Sequence, residues 1–284
     1  MMPARDGAKE ALFAAAGLLL LLTVGKPVSA AVGGLVGDVL NTLMAAFQLY
    51  VPLWLIQRAG ETPESHAIHA HGLLLGPIAA LRKKVIFARR RAGARRQNAL
   101  TRVLSHYGRG AALRPRDLLR DLGRAALVAA ITFPPFSILH HLWQTKAPQL
   151  LGELGLRIAG APLHSAYYSF HLPDDLFVFW MKNTFLIALP EEMFYRGFLE
   201  TRLERLWPTR WHFLAIPISR TVVVSAVLFA LGHFLGEWNP ARLGPFFPAF
   251  LFSMLTRKSR SISGAVVYHG MSNAFSAFLY AGYR

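Results

Sequence analysis

Pro190-Glu191-Glu192-Met193-Phe194-Tyr195-Arg196-Gly197 sets two adjacent carboxylates and an arginine inside an apolar stretch running from Asp174 to Leu199. Water solvates charge poorly at membrane depth, so ionisable residues there mark a functional site by default. The stretch therefore decides the fold: apolar helices cross a bilayer, and the chemistry sits between them. Two further polar sites follow in later apolar segments, His233 four residues after Phe229, and the pair His269 and Asn273.

Composition agrees with this reading. The 284 residues are 54% hydrophobic and only 16% charged, whereas soluble domains carry about a quarter charged residues. The mean hydropathy is +0.35. There are no cysteines, which excludes disulfides, thiolate nucleophiles and cysteine-ligated zinc or iron–sulfur sites. The net charge of +16 is concentrated between Arg82 and Arg124, where fourteen Lys/Arg face two acids. Flanked by apolar runs, this is a cytoplasmic loop that fixes orientation and touches anionic lipid, with no nucleic-acid partner expected.

Seven apolar segments qualify as spans: Ala11–Val24, Ala31–Ile56, Arg124–Trp143, Asp174–Leu199, Trp211–Leu235, Pro245–Thr256 and Ile262–Tyr283. The first is read as a retained helix, although Val28-Ser29-Ala30 resembles a signal-peptide cleavage site. Gly33 and Gly37 give a small-xxx-small packing spacing. Pro134-Pro135 predicts a kink in the third span. His66–Leu81 reads as an interfacial or re-entrant segment, and Thr145–Pro173 as a loop carrying a short surface helix.

With the basic loop in the cytoplasm, the N-terminus, Arg202/Arg205/Arg210 and Arg257/Lys258/Arg260 also fall inside, as the positive-inside rule requires. The expectation is an all-α, polytopic integral membrane protein with about seven transmembrane helices around an intramembrane polar cavity. Residues 1–173 supply N-terminal helices and the basic loop, and 174–284 the core, in one structural domain.

Residues four apart share a helix face, while sequence neighbours point about 100° apart. Glu192 and Arg196 are thereby placed to pair, leaving Glu191 as a separate acid. A carboxylate in a poorly solvated pocket beside an arginine makes a competent general base. Glu191 with His233 could hold and deprotonate a water. His269 and Asn273, one turn apart, offer two hydrogen-bond donors of the kind that stabilise an oxyanion in acyl transfer. The sequence has no Gly-x-Ser-x-Gly elbow, no Ser-x-x-Lys and no His-Glu-x-x-His. The spacing thus reaches a buried acid/base site. A zinc ion on Glu191, His233 and His269 is a rival reading, and a non-catalytic membrane binding protein is another. A transporter would show repeated halves, and none is seen. His66, His69 and His71 read as surface or interfacial residues, and Phe246, Phe247, Phe250 and Phe252 as lipid-facing or packing residues.

Taken together, the three motifs resemble those of the CAAX-protease and bacteriocin-processing family of glutamic intramembrane endopeptidases. The matching residues are Glu191, Glu192 and Arg196 in Glu-Glu-x-x-x-Arg, Phe229 and His233 in Phe-x-x-x-His, and His269 and Asn273 in His-x-x-x-Asn. The resemblance covers roughly Asp174 to Tyr283. It implies a metal-independent endopeptidase acting on a membrane-associated polypeptide, in the bacterial inner membrane, without a cofactor. Glu191 and His233 would activate water, His269 and Asn273 would form the oxyanion site, and Glu192, Arg196 and Phe229 would support them. The wording Glu200-Thr201-Arg202-Leu203-Glu204-Arg205-Leu206-Trp207 is similar to a branch that cleaves C-terminal sorting tails. Some relatives are named for bacteriocin immunity, which keeps the binding alternative in view.

Overall fold

The computed structural model describes residues 4–68, 115–155, 162 and 167–283. His69, His71, the rest of the expected interfacial segment and the basic loop up to residue 114 lie outside the described residues.

Two long helices come first, α1 (Ala4–Val32) and α2 (Gly34–Arg58). Gly33 alone separates them, and Gly33 and Gly34 take left-handed φ values of 56° and 52°. Glycine adopts that conformation without the Cβ penalty. Gly37 plays a different part: a Cβ there would lie 2.7 Å from the Ser29 carbonyl oxygen. Ser29 in turn donates from its hydroxyl to the Gly37 carbonyl at 2.9 Å. The glycine pair expected to act as one packing motif therefore splits into a turn residue and a contact residue.

Helix α3 (Pro115–Glu153) has 39 residues, about 58 Å at 1.5 Å per residue. It continues through Pro134, Pro135 and Pro148 and takes in residues 145–153, the start of the expected loop. A continuous helical rod then occupies residues 176–204. Its parts are α4 (Leu176–Lys182), a π-helical stretch (Asn183–Ala188), α5 (Leu189–Glu192), a second π stretch (Met193–Leu199) and α6 (Glu200–Glu204). The wide turn before Pro190 has a physical reason. Proline lacks an N–H and its ring presses on the carbonyl four residues back, which a π turn relieves.

The segment expected to open the fifth span does something else. Residues 211–218 form an antiparallel hairpin of β1 (Trp211–Phe213) and β2 (Ile216–Ile218). Its turn residues Leu214 and Ala215 have φ of 49° and 76°, the primed geometry that matches strand twist. Helix α7 (Arg220–Glu237) follows, its N-terminus capped by the Ser219 side chain, which accepts from the Val222 N–H. The last helices are α8 (Phe246–Ser259) and α9 (Ser263–Ala281).

The rods alternate in direction. Gly25 meets Met44 and Gly17 meets Phe47 across the α1–α2 pair. Thr132 and His141 of α3 bond Tyr268 and Tyr283, so α3 runs alongside α9. Arg196 and Glu200 of the 176–204 rod reach Ala249 and Ser253 of α8. The starts of α1, α3, α7 and α9 therefore gather on one face, with the ends of α2, α6 and α8.

Among the described residues four helices are long and apolar enough to cross a bilayer: Arg5–Val32, Gly34–Arg58, Arg116–Glu153 and Arg220–Glu237. Helix α8 has only 14 residues, while α9 and the 176–204 rod carry the polar groups of the site. On α1, Ala8, Ala11, Ala15, Leu18 and Leu22 are buried, whereas Phe13, Leu20 and Val24 are exposed. A helix apolar on both faces packs on protein along one stripe and on lipid along the other.

Candidate active site

The two glutamates of the opening motif have different surroundings, as their one-residue offset requires. Glu192 has no exposed side-chain surface and accepts from Arg196 Nη1 at 3.3 Å. It also lies 2.9 Å from His269 Nδ1, which donates to its Oε1. Glu191 stands on the other side of the same imidazole, its Oε2 3.6 Å from His269 Nε2. The Glu191 side chain keeps 16% of its surface exposed, and Oε2 has no hydrogen-bond partner among the described residues. One glutamate is locked and the other is available.

Arg196 is held on every side. Its Nη2 donates to the Ala249 carbonyl at 3.3 Å and its Nε lies 3.9 Å from Glu200. The guanidinium carbon sits 4.5 Å from the Phe229 ring centroid and 4.9 Å from that of Phe252. Cation–π contact of this kind gains strength where water is excluded. The sequence pattern gave no hint of Phe252 as a site residue. It is buried and stacks on His269 at 4.6 Å and 16°, so the lipid-facing alternative fails for it. Phe247, 75% exposed, does face outward.

His233 packs edge-on to Phe229, with ring centroids 4.6 Å apart. Its Nδ1 donates to the Phe229 carbonyl at 3.0 Å, which leaves Nε2 without a hydrogen-bond partner among the described residues. The same Phe229 ring stands edge-on to His269, with centroids 5.8 Å apart, and so links the two histidines. The structure thus brings Glu191, Glu192, Arg196, Phe229, His233 and His269 into one cluster. Asn273 lies one turn beyond His269 and donates to Asn183 Oδ1 at 3.4 Å. Asn183 sits in the first π stretch, and its own amide donates to the Phe179 carbonyl.

Close approach of α9 to this rod depends on Gly270, beside His269. A Cβ at 270 would collide with Thr184 Oγ1 and lie 2.9 Å from its Cβ. Tyr195, Asn183, Phe252, Glu200 and Ser253 were not singled out from sequence. Glu200 accepts from Ser253 Oγ at 2.6 Å and faces Arg257 Nη2 at 3.7 Å. The helical spacing of Glu192, Arg196, Glu200 and Glu204 was the signal available for them. A cavity of about 630 Å³ lies further along α7 from His233, lined by Lys26, Asp38, Asn41, Gly236 and Glu237. Among the described residues no group of three His, Asp or Glu side chains is arranged to hold a metal ion.

One family model matches the segment that holds these residues. Residues 173–275 match the family model described as type II CAAX prenyl endopeptidase Rce1-like. No curated protein and no solved structure gave a significant match. The matched residues carry the whole cluster of glutamates, arginine, histidines and asparagine, and over them this polytopic membrane protein is similar to the Rce1-like proteases.

Proposed function

We propose that this protein is an intramembrane endopeptidase that hydrolyses a peptide bond of a membrane-associated polypeptide with a water activated by Glu191. The observation that carries this reading is the asymmetry of the two glutamates: Glu192 is fully buried and held through Oε1 by Arg196 and His269, whereas Glu191 keeps 16% of its side chain exposed and comes no closer than 3.6 Å to His269 Nε2.

A water between Glu191 and His233 would give its proton to the Glu191 carboxylate while its oxygen attacks the scissile carbonyl carbon. His233 Nε2 would accept the second hydrogen of that water and fix its lone pair. The developing oxyanion would be met by His269 Nε2–H and the Asn273 amide. In that role His269 donates from Nδ1 to Glu192 and from Nε2 to the oxyanion. Collapse of the tetrahedral intermediate would return the proton from Glu191 to the leaving amine nitrogen. No protein nucleophile and no metal enters this sequence.

The wording Glu200-Thr201-Arg202-Leu203-Glu204-Arg205 does not itself select a substrate, because its charged side chains pair internally with Arg196, Glu61 and Arg257. A C-terminal tail with one membrane helix is the substrate class we favour, delivered laterally.

Comparing protein termini in membranes of cells carrying the wild type or Glu191→Ala tests the proposal. Termini present with the wild type and absent with the variant, at equal protein abundance and with insensitivity to chelators, are expected. A phenotype that survives Glu191→Ala with unchanged termini would instead support the binding or immunity role. Loss of the termini on chelation would support zinc.

A further inference from the structure

The β1–β2 hairpin presents an apolar face that the other described residues do not cover. Its register pairs Trp211 with Ile218 and Phe213 with Ile216, and alternate residues of a strand share a face. Those four side chains therefore stand together, with Leu214 at the tip. Trp211, Phe213 and Leu214 are 76%, 66% and 82% exposed. On the opposite face Pro217 is buried, and β2 rests against α8 and α7, while His212 is exposed. Such a concentration of exposed aromatic and aliphatic surface marks an interaction site.

Position in the fold says what covers it. β2 ends at Ile218, and α7, one of the four helices apolar enough to span, begins at Arg220. The hairpin therefore sits at the start of a helix long and apolar enough to cross a bilayer. Exposed Arg210 and Arg220 bracket it, and Arg58, Arg257, Lys258 and Arg260 lie on the same face of the molecule. Tryptophan prefers the membrane–water interface, where an apolar ring and a polar N–H are both accommodated. Basic side chains there attract anionic headgroups.

We propose that the hairpin is an interfacial anchor. Trp211, Phe213, Leu214, Ile216 and Ile218 lie among the headgroups and upper acyl chains of one leaflet, and Arg210 and Arg220 lie against lipid phosphates. The hairpin thereby holds the start of α7 at a fixed depth, and α7 carries Phe229 and His233. This assignment rests on the membrane setting and not on the hydrolytic chemistry.

The chain's lack of cysteine makes the test direct. Phe213→Cys and Leu214→Cys are each labelled with a nitroxide in the full-length protein. The protein is then reconstituted into vesicles of phosphatidylcholine and phosphatidylglycerol. Collision rates with oxygen and with a water-soluble nickel chelate are compared with those of a label at Ser65→Cys, an exposed position in the short helical turn Pro63–His66 on the same face. An oxygen-to-nickel ratio several-fold above the Ser65 value at both hairpin sites is the expected result. A ratio equal to that at Ser65 would place the hairpin in water. Shielding from both reagents would mean that a second copy or another protein covers it. Either outcome overturns the anchor. Two label sites guard against one substitution disturbing the turn.

Discussion

Arg196 ties the site together more than any other side chain. It meets Glu192, Glu200 and the Ala249 carbonyl with no exposed side-chain surface. Arg196→Ala would leave Glu192 buried without its cation, a loss of about 3–5 kcal/mol. The variant is expected at sharply reduced abundance in membranes, measured by immunoblot against wild type. Asn273 differs: its one long bond to Asn183 contributes little to folding. Asn273→Ala should accumulate normally yet turn over substrate about 10²–10³-fold more slowly, as loss of an oxyanion donor does. Single-turnover measurement on a substrate identified from the termini comparison decides it. At this scale much was legible in the sequence, because Glu192–Arg196 follows from helical spacing alone. The place of Phe252 was not legible, since nothing in a run of phenylalanines distinguishes a ring stacked on histidine from one facing lipid.

Elements were legible where composition and period agree, and misread where two structures share a composition. Trp211–Ile218 has the apolarity of a span and folds as a hairpin, because Leu214 and Ala215 reverse the chain before a helix can start. The π stretches on either side of Leu189–Glu192 left no trace in sequence beyond Pro190. They govern where side chains on the 176–204 rod point, and hence how Asn183 reaches Asn273. Gly270 sets the distance between that rod and α9. Gly270→Ala forces the Thr184 side chain aside and should destabilise by about 1–3 kcal/mol. A lowered unfolding temperature in detergent, together with lost activity from the displaced neighbour His269, is the expected pair of readouts.

Across the whole molecule, Glu61 joins the α2 end to the end of the 176–204 rod. It accepts from Arg205 at 2.6 Å and 3.0 Å and lies 3.4 Å from Arg202 and 3.2 Å from His66. Burial pushes the His66 imidazole down to about 4 from 6.5, with Arg202 and Arg205 acting in the same sense against Thr62 and Glu61. Burial raises the Glu61 carboxyl, but its Arg205 hydrogen bonds and the charges of Arg202, Arg205 and His66 outweigh this and hold it below 4.5. The unfolded chain therefore binds a proton at His66 that the folded one refuses. Stability is complete above pH 6.5, falls towards pH 4 by about 3 kcal/mol at most, and falls further as Glu61 protonates. Melting curves of solubilised protein should show this slope, and His66→Gln should flatten it between pH 6.5 and 4.

The alternating rods and the gathering of basic ends on one face were foreseeable from the apolar runs and the positive-inside pattern. The Glu61 cluster was not, since Glu61 and His66 lie more than a hundred residues before Arg202 and Arg205. The single residue between α1 and α2 also bears on biosynthesis. With only Gly33 at the reversal, there is almost no connecting loop to translocate, and the two helices are expected to enter the bilayer together as one hairpin.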